Sequence, residues 1–212
     1  MKHEIILTVI EDDEKRKSVK SVIKALTRWM NLDRSLNSLF VVSNNFSENI
    51  DDLIRNNNEF AKSFDDSGLQ AAPTMKLVVV ACMDSRMDIF KLLGLENGEA
   101  HIIRNAGGVI TDDVIRSVCL SQRLMGTREI VLLHHTDCGL QKVSEEKFKA
   151  ELEGELGIKP RWSLETFVDP YSDTRQSMER LIVTPFVDHS HMNGFVYDTR
   201  TGELYKVEEK AK

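Results

Sequence analysis

The sequence predicts an α/β fold, a mainly parallel central sheet flanked by helices, with a C-terminal hairpin. Three observations carry that prediction. Short β-branched apolar runs, KLVVVA at 76–81 and EIVLLH at 129–134, have the composition of strands buried on both faces. They alternate with longer segments of helical period bracketed by start and stop residues. Two alternating runs near the end of the chain are separated by a turn.

Taken in order, Val19, Val22, Ile23, Leu26 and Met30 recur at helical spacing among Lys15, Arg16, Lys17, Lys20, Lys24 and Arg28. A basic amphipathic helix of this kind lies on an anionic membrane or docks on its own subunit or a twin. The second is the expectation, and residues 1–40 are set apart as an N-terminal extension whose role is open. Ser43-Asn44-Asn45 separates it from a helix over Glu48 to Phe64, and Asp65 to Gly68 with Pro73 reads as loop. Lys76 to Ala81 is the first strand and Ala100 to Arg104 (AHIIR) the second. Thr111 then caps a helix with Asp112 and Asp113 in its first turn, favourable beside the positive helix N-terminus, and Gly126 stops it. Glu129 to His134 is the third strand. Ser144 opens a helix with Phe148, Leu152 and Leu156 on one face and Gly157 at its end. A last helix runs from Asp173 to Val183 and stops before Pro185. Gly194 to Asp198, a Thr-Arg-Thr-Gly turn, and Glu203 to Val207 form the hairpin.

At 212 residues the chain fits one domain with an appendage. Its net charge of −6 argues against nucleic acid as the main partner, which calls for a basic face. No apolar run approaches the roughly 18 residues of a transmembrane segment. Ile5 to Ile10 is followed at once by Glu11-Asp12-Asp13-Glu14, which a signal-peptide core would not tolerate. Three cysteines suit a reducing compartment and metal or catalytic thiols better than a disulfide framework. A cytoplasmic protein is the expectation.

The chemistry gathers where two strands end. KLVVVA runs into Cys82-Met83-Asp84-Ser85-Arg86, and EIVLLH into His135-Thr136-Asp137-Cys138-Gly139. In open α/β sheets ligands bind outside the carboxyl ends of strands, so the two clusters can meet in space. Zinc takes thiolate and imidazole, and its catalytic sites use three protein ligands with one position open; Cys82, His135 and Cys138 supply three. Two thiolates cancel the formal charge of the ion, so its water is acidified less than at a three-histidine site. Asp84 and Arg86 can form a bidentate pair beside them. Asp84 either accepts a hydrogen bond beside the metal or becomes a fourth ligand in a closed state. A cysteine-nucleophile phosphatase needs an arginine six residues after the thiol, but Asp88 and Ser144 stand there. Cys119, between Val118 and Leu120, reads as core, His101 as structural, and His189 and His191 as loop residues.

These residues resemble the β-class carbonic anhydrases, whose two signatures, Cys-x-Asp-x-Arg and His-x-x-Cys, stand here as CMDSR (82–86) and HTDC (135–138). The similarity extends through HIIRNAGG (101–108), DDVIRS (112–117) and GFVYDTRTGEL (194–204), and covers roughly Asn44 to Val207. Residues 41–212 are on that footing a catalytic domain of the family's compact microbial type. The resemblance implies one Zn2+ per chain on Cys82, His135 and Cys138, with Asp84–Arg86 as the orienting dyad. It implies that Asn105, Ala106, Gly107 and Gly108 line the substrate pocket. It also implies reversible hydration of carbon dioxide to bicarbonate, in a homodimer or higher even-numbered oligomer with active sites at the subunit interface. Two features depart from the family pattern: residues 1–40 match nothing in it, and His134 stands where many members have glycine. The resulting His-His-Thr-Asp-Cys-Gly form is shared with a branch that includes carbonyl sulfide hydrolases, so hydrolysis of carbonyl sulfide or carbon disulfide is the alternative activity.

Overall fold

Unbroken apolar character makes β1 (Leu77–Cys82) an interior strand: Val78, Val79, Val80 and Ala81 have no exposed surface. The computed structural model describes residues 46–208, so the basic stripe of residues 15–30 and the Ser43–Asn45 spacer lie outside the described residues. The chain divides into two units, Met1–Phe64 and Asp65–Lys212. The described part of the first is helix α1 (Phe46–Lys62), which starts and ends two residues earlier than its periodicity suggests. It carries pairs between Arg55 and Asp52 and between Lys62 and Glu59.

The second unit is built on a five-stranded sheet in the order β2-β1-β3-β4-β5. β2 (Ala100–Asn105), β3 (Glu129–His135) and β4 (Met192–Tyr197) join β1 in parallel, and β5 (Leu204–Val207) returns antiparallel to β4. The register sets Val80 against Leu132 and Ala81 against Leu133. The carboxyl ends of β1 and β3 are therefore level, and each ends on a metal-capable side chain.

Helix α3 (Asp112–Met125) has the expected Thr111 and Gly126 caps; Thr111 Oγ1 accepts from Val114 N–H. With α5 (Pro170–Ile182) it covers one core cluster, where Val78, Val80, Ile130 and Leu132 meet Val114, Val118, Met178 and Leu181. The other cluster holds Val79, Ala81 and Leu133 with Met87 and Ile89. Met87 and Ile89 belong to a segment that has no helical period to read: α2 (Ile89–Leu93) has five residues, capped by Asp88 and Gly94. α5 starts three residues before Asp173 because Asp169 caps it, accepting from Tyr171 and Ser172 N–H, with Pro170 in the first turn. It rests directly on β4: a Cβ at Gly194 would lie 2.6 Å from Thr174 Cγ2 and 2.8 Å from Met178 Sδ.

α4 (Glu145–Leu156) forms between the expected Ser144 and Gly157. Phe148 and Leu152 are only half-buried and Leu156 is 61% exposed, so its capping residues Ser144 and Gly157 predict it better than its pattern does. Cys119 is half-buried against the first cluster, and His101 lies between Ser121 Oγ (2.7 Å) and Ala71 O (2.8 Å). His189 and His191 precede β4 in a loop. Among the described residues no helix is long and apolar enough to cross a membrane.

Candidate metal centre

Cys82 ends β1, His135 ends β3, and a tight turn after His135 brings Cys138 back beside it. The Sγ atoms of the cysteines and a ring nitrogen of His135 lie within 4.8 Å of one another, and all three residues are buried. His135 Nδ1 is 2.8 Å from the Thr136 carbonyl, which can only accept, so Nδ1 carries the proton. Nε2 is left as a buried acceptor without a hydrogen-bond partner. A buried orphan imidazole nitrogen facing two thiols is a donor set that suits a metal ion of zinc's softness. The hydrogen bond from Cys138 pushes the Cys82 thiol well below its ordinary pKa, with His135 adding to it, while Cys82 and burial push Cys138 up. Burial would depress the His135 imidazole, but the neighbouring Cys82 thiolate outweighs it and raises its pKa. One thiol of the pair ionises readily, and the second would release its proton to solvent as a metal ion binds.

The backbone around these ligands is held at several points. Gln141 Oε1 accepts from Cys138 N–H at 2.9 Å while its Nε2 donates to Val168 O, also at 2.9 Å. Arg104 reaches from β2 to donate through Nε to Cys82 O (2.9 Å) and through Nη2 to Asp84 O (2.7 Å). Thr199, in the β4–β5 turn, donates its N–H to Thr136 Oγ1 at 3.1 Å. Gly108 presses on both strand ends. Its φ is +72°, and a Cβ there would lie 2.8 Å from Cys82 N and 3.3 Å from Leu133 O.

Arg86 donates through Nε to Asp84 Oδ1 (3.0 Å) and through Nη2 to Asp84 Oδ2 (2.8 Å), a bidentate fork. The Arg86 side chain holds the Asp84 carboxyl well below the usual carboxylate range. Asp84 Oδ2 lies 3.8 Å from His135 Nε2, so a fixed negative charge borders the ligand cluster. Asn105 donates from Nδ2 to Val109 O at 2.8 Å and leaves a buried Oδ1 without a partner. Beyond it Ala106 is exposed, Gly107 and Gly108 are buried, and Leu140, Val109 and Phe167 crowd Gly107.

The sequence-predicted Cys82, Asp84, Arg86, His135 and Cys138 are thus brought together, with Asn105–Gly108 beside them. His134 instead contacts Asp173 (Nδ1 to Oδ2, 3.1 Å), Ser177 (Nε2 to Oγ, 3.5 Å) and the edge of Phe167. Arg104, Thr136, Asp137, Gln141 and Thr199 escaped the sequence reading. Thr136 and Asp137 occupy the unspecified positions of His-x-x-Cys, and Arg104 lies inside RNAGG; adjacency to a motif is the signal that points to them.

Known proteins resemble this chain in sequence and in fold. The family described as carbonic anhydrase matches residues 77–204. Beta-carbonic anhydrase 1 of Mycobacterium bovis is 50% identical over 158 residues, 74% of this chain and 96% of that protein. The crystal structure of a carbonic anhydrase from Streptococcus mutans superposes with a TM-score of 0.71 at 35% identity, covering 79% of this chain and all of that one. A carbon disulfide hydrolase of an Acidianus species is 46% identical over 85 residues, 40% of this chain and 41% of that protein. The matched segment contains both strand ends and every residue of the ligand cluster, and on that ground the chain belongs to the β-class carbonic anhydrase family.

Proposed function

We propose that the chain catalyses the reversible hydration of carbon dioxide at a zinc ion held by Cys82, His135 and Cys138. The observation that carries this reading is the buried Cys82–His135–Cys138 cluster, with Asp84 poised 3.8 Å from His135 Nε2. When bound, zinc supplies Lewis-acid polarisation and acidifies a water molecule. The remaining chemistry belongs to the chain. The Thr136 carbonyl fixes the His135 tautomer and leaves Nε2 as the nitrogen that would hold the ion. Asp84, kept ionised by Arg86, can only accept hydrogen bonds, so it orients a donor that sits beside the ligands. Gly107, Val109, Leu140 and Phe167 supply an apolar wall suited to a small, uncharged, apolar substrate.

Assembly as a dimer completes the reading. β2 is one of the two edges of the sheet, and a groove of about 480 Å³ lined by Phe90, Ile102, Leu120 and Met125 runs beside it, an apolar surface of the kind a second copy buries. A cytoplasmic location fits the unpaired cysteines. Hydrolysis of carbon disulfide or carbonyl sulfide is the second reading, favoured by the similarity to carbon disulfide hydrolases. Stopped-flow hydration of carbon dioxide by the zinc-loaded protein, beside parallel assays on both sulfur compounds, tests the proposal. Turnover of the sulfur compounds with none of carbon dioxide overturns it.

A further inference from the structure

Arg86 is held from two sides. Its Nε and Nη2 serve Asp84, while Nη1 donates to Asp137 Oδ2 at 2.9 Å and Nη2 donates to the Asp137 carbonyl at 3.1 Å. Lys142 Nζ occupies the other carboxylate oxygen of Asp137 at 2.5 Å. Each oxygen of Asp137 therefore has its own cation. Asp137 also adopts φ +58°, the left-handed region, which costs a non-glycine residue roughly 1 kcal/mol. Glycine would relieve that cost; what aspartate adds is the carboxylate.

We propose that Asp137 is a positioning residue for the Asp84–Arg86 dyad, holding the Arg86 guanidinium in the plane that lets it grip both oxygens of Asp84. The inference rests on the roles given to Asp84 and Arg86 above. The physical need is plain. The Arg86 side chain is 46% exposed, and an exposed arginine paired with one carboxylate loses much of its geometry to rotamer freedom. A second carboxylate, fixed by a turn between His135 and Cys138, leaves the planar fork one arrangement, because rotation about its stem breaks contacts on both edges. The turn that carries the metal-ligating residues thereby also sets the direction of the carboxylate beside them.

Asp137→Asn and Asp137→Gly both suit a left-handed residue and both remove the charge, so neither adds strain to the loop. The zinc-loaded variants are expected to retain full zinc while kcat for carbon dioxide hydration falls about 10-fold, the weight of one charge-assisted hydrogen bond. In an Arg86→Ala background the same substitutions are expected to add nothing. Independently of activity, the 1H–15N signal of the Arg86 Nε–H, assigned by its loss in Arg86→Lys, is expected to exchange faster with solvent in Asp137→Asn. Wild-type kcat with an unchanged Nε–H signal overturns the proposal. So does an undiminished effect in the Arg86→Ala background, or loss of zinc from the variants, either of which marks Asp137 as a scaffold of the metal turn. Full activity in Arg86→Ala alone would instead refute the role of the dyad, while the exchange measurement still decides whether Asp137 orders Arg86.

Discussion

Serine fills nearly the same space as cysteine but offers a poor neutral oxygen where zinc prefers a soft thiolate, so Cys138→Ser separates ligand chemistry from packing. Most of the zinc is expected to be lost, and full content by elemental analysis would remove Cys138 from the ligand set. Asp84→Asn keeps shape and removes charge. Zinc is expected to stay while turnover falls by ~100-fold or more, the range for a group that orients or relays a proton. The same variant carries a pH signature. Arg86 depresses the folded pKa of Asp84, so the stability from this pair is complete above the unfolded value near 4 and is lost as pH falls through the lower folded value. Asp84→Asn is therefore expected to be less stable at neutral pH and to flatten the acid limb of a denaturation profile measured from pH 6 to 2. At this scale most of the candidate site was legible in the sequence, because thiols, imidazole and carboxylate announce their chemistry by type. Arg104 and Asp137 stayed hidden because their work is geometric: an arginine on an edge strand says nothing about which carbonyls it will reach.

Among the elements, the strand ends and the loop over them form one mechanical unit. Gly108 lies against the backbone of both β1 and β3. Gly108→Ala combines left-handed strain of ~1–2 kcal/mol with overpacking of ~1–3 kcal/mol, for a total of about 2–5 kcal/mol. Thermal unfolding is expected to show that loss, and weaker zinc retention in a competition titration is expected with it, since the two strand ends must part. Unchanged zinc retention would show that the strand ends tolerate the wedge. Caps located α3 and α4 in the sequence, Thr111 and Gly126 for one and Ser144 and Gly157 for the other, since capping is a local contest over a few backbone groups. How deeply Phe148, Leu152 and Leu156 sit on α4 was not legible in the same way: burial depends on what the fold sets against a helix. α2 was missed because one turn is too short to show a period, and α5 began early because Asp169 caps it ahead of Asp173.

For the whole molecule, the α/β architecture and parallel sheet were legible because strands buried on both faces cannot be written in any other composition. Strand order was not, since it is decided by long-range pairing that no local pattern records. The N-terminal extension is testable apart from that architecture. Deleting residues 1–40 is expected to leave zinc and turnover intact while lowering the unfolding temperature or weakening self-association in analytical ultracentrifugation. Co-flotation of the full chain with anionic vesicles, lost in the truncated one, would show that it binds membrane instead.

Cys82 and His135 stand 53 positions apart (135 minus 82), and β1 and β3 bring them level. In the unfolded chain, closing a loop of that length costs about 3–4 kcal/mol, so an ion there finds only the short chelate of His135 and Cys138. The folded sheet offers the third ligand with the loop already closed. A zinc ion held there would act as a topological staple that recognises the native connection of two distant strands, and it would stabilise the native state by mass action. Chelation is expected to lower the unfolding temperature. In urea, zinc release followed by a colorimetric chelator and loss of far-ultraviolet circular dichroism are expected to share one midpoint; zinc release well before the sheet melts would show that the staple can open without the fold.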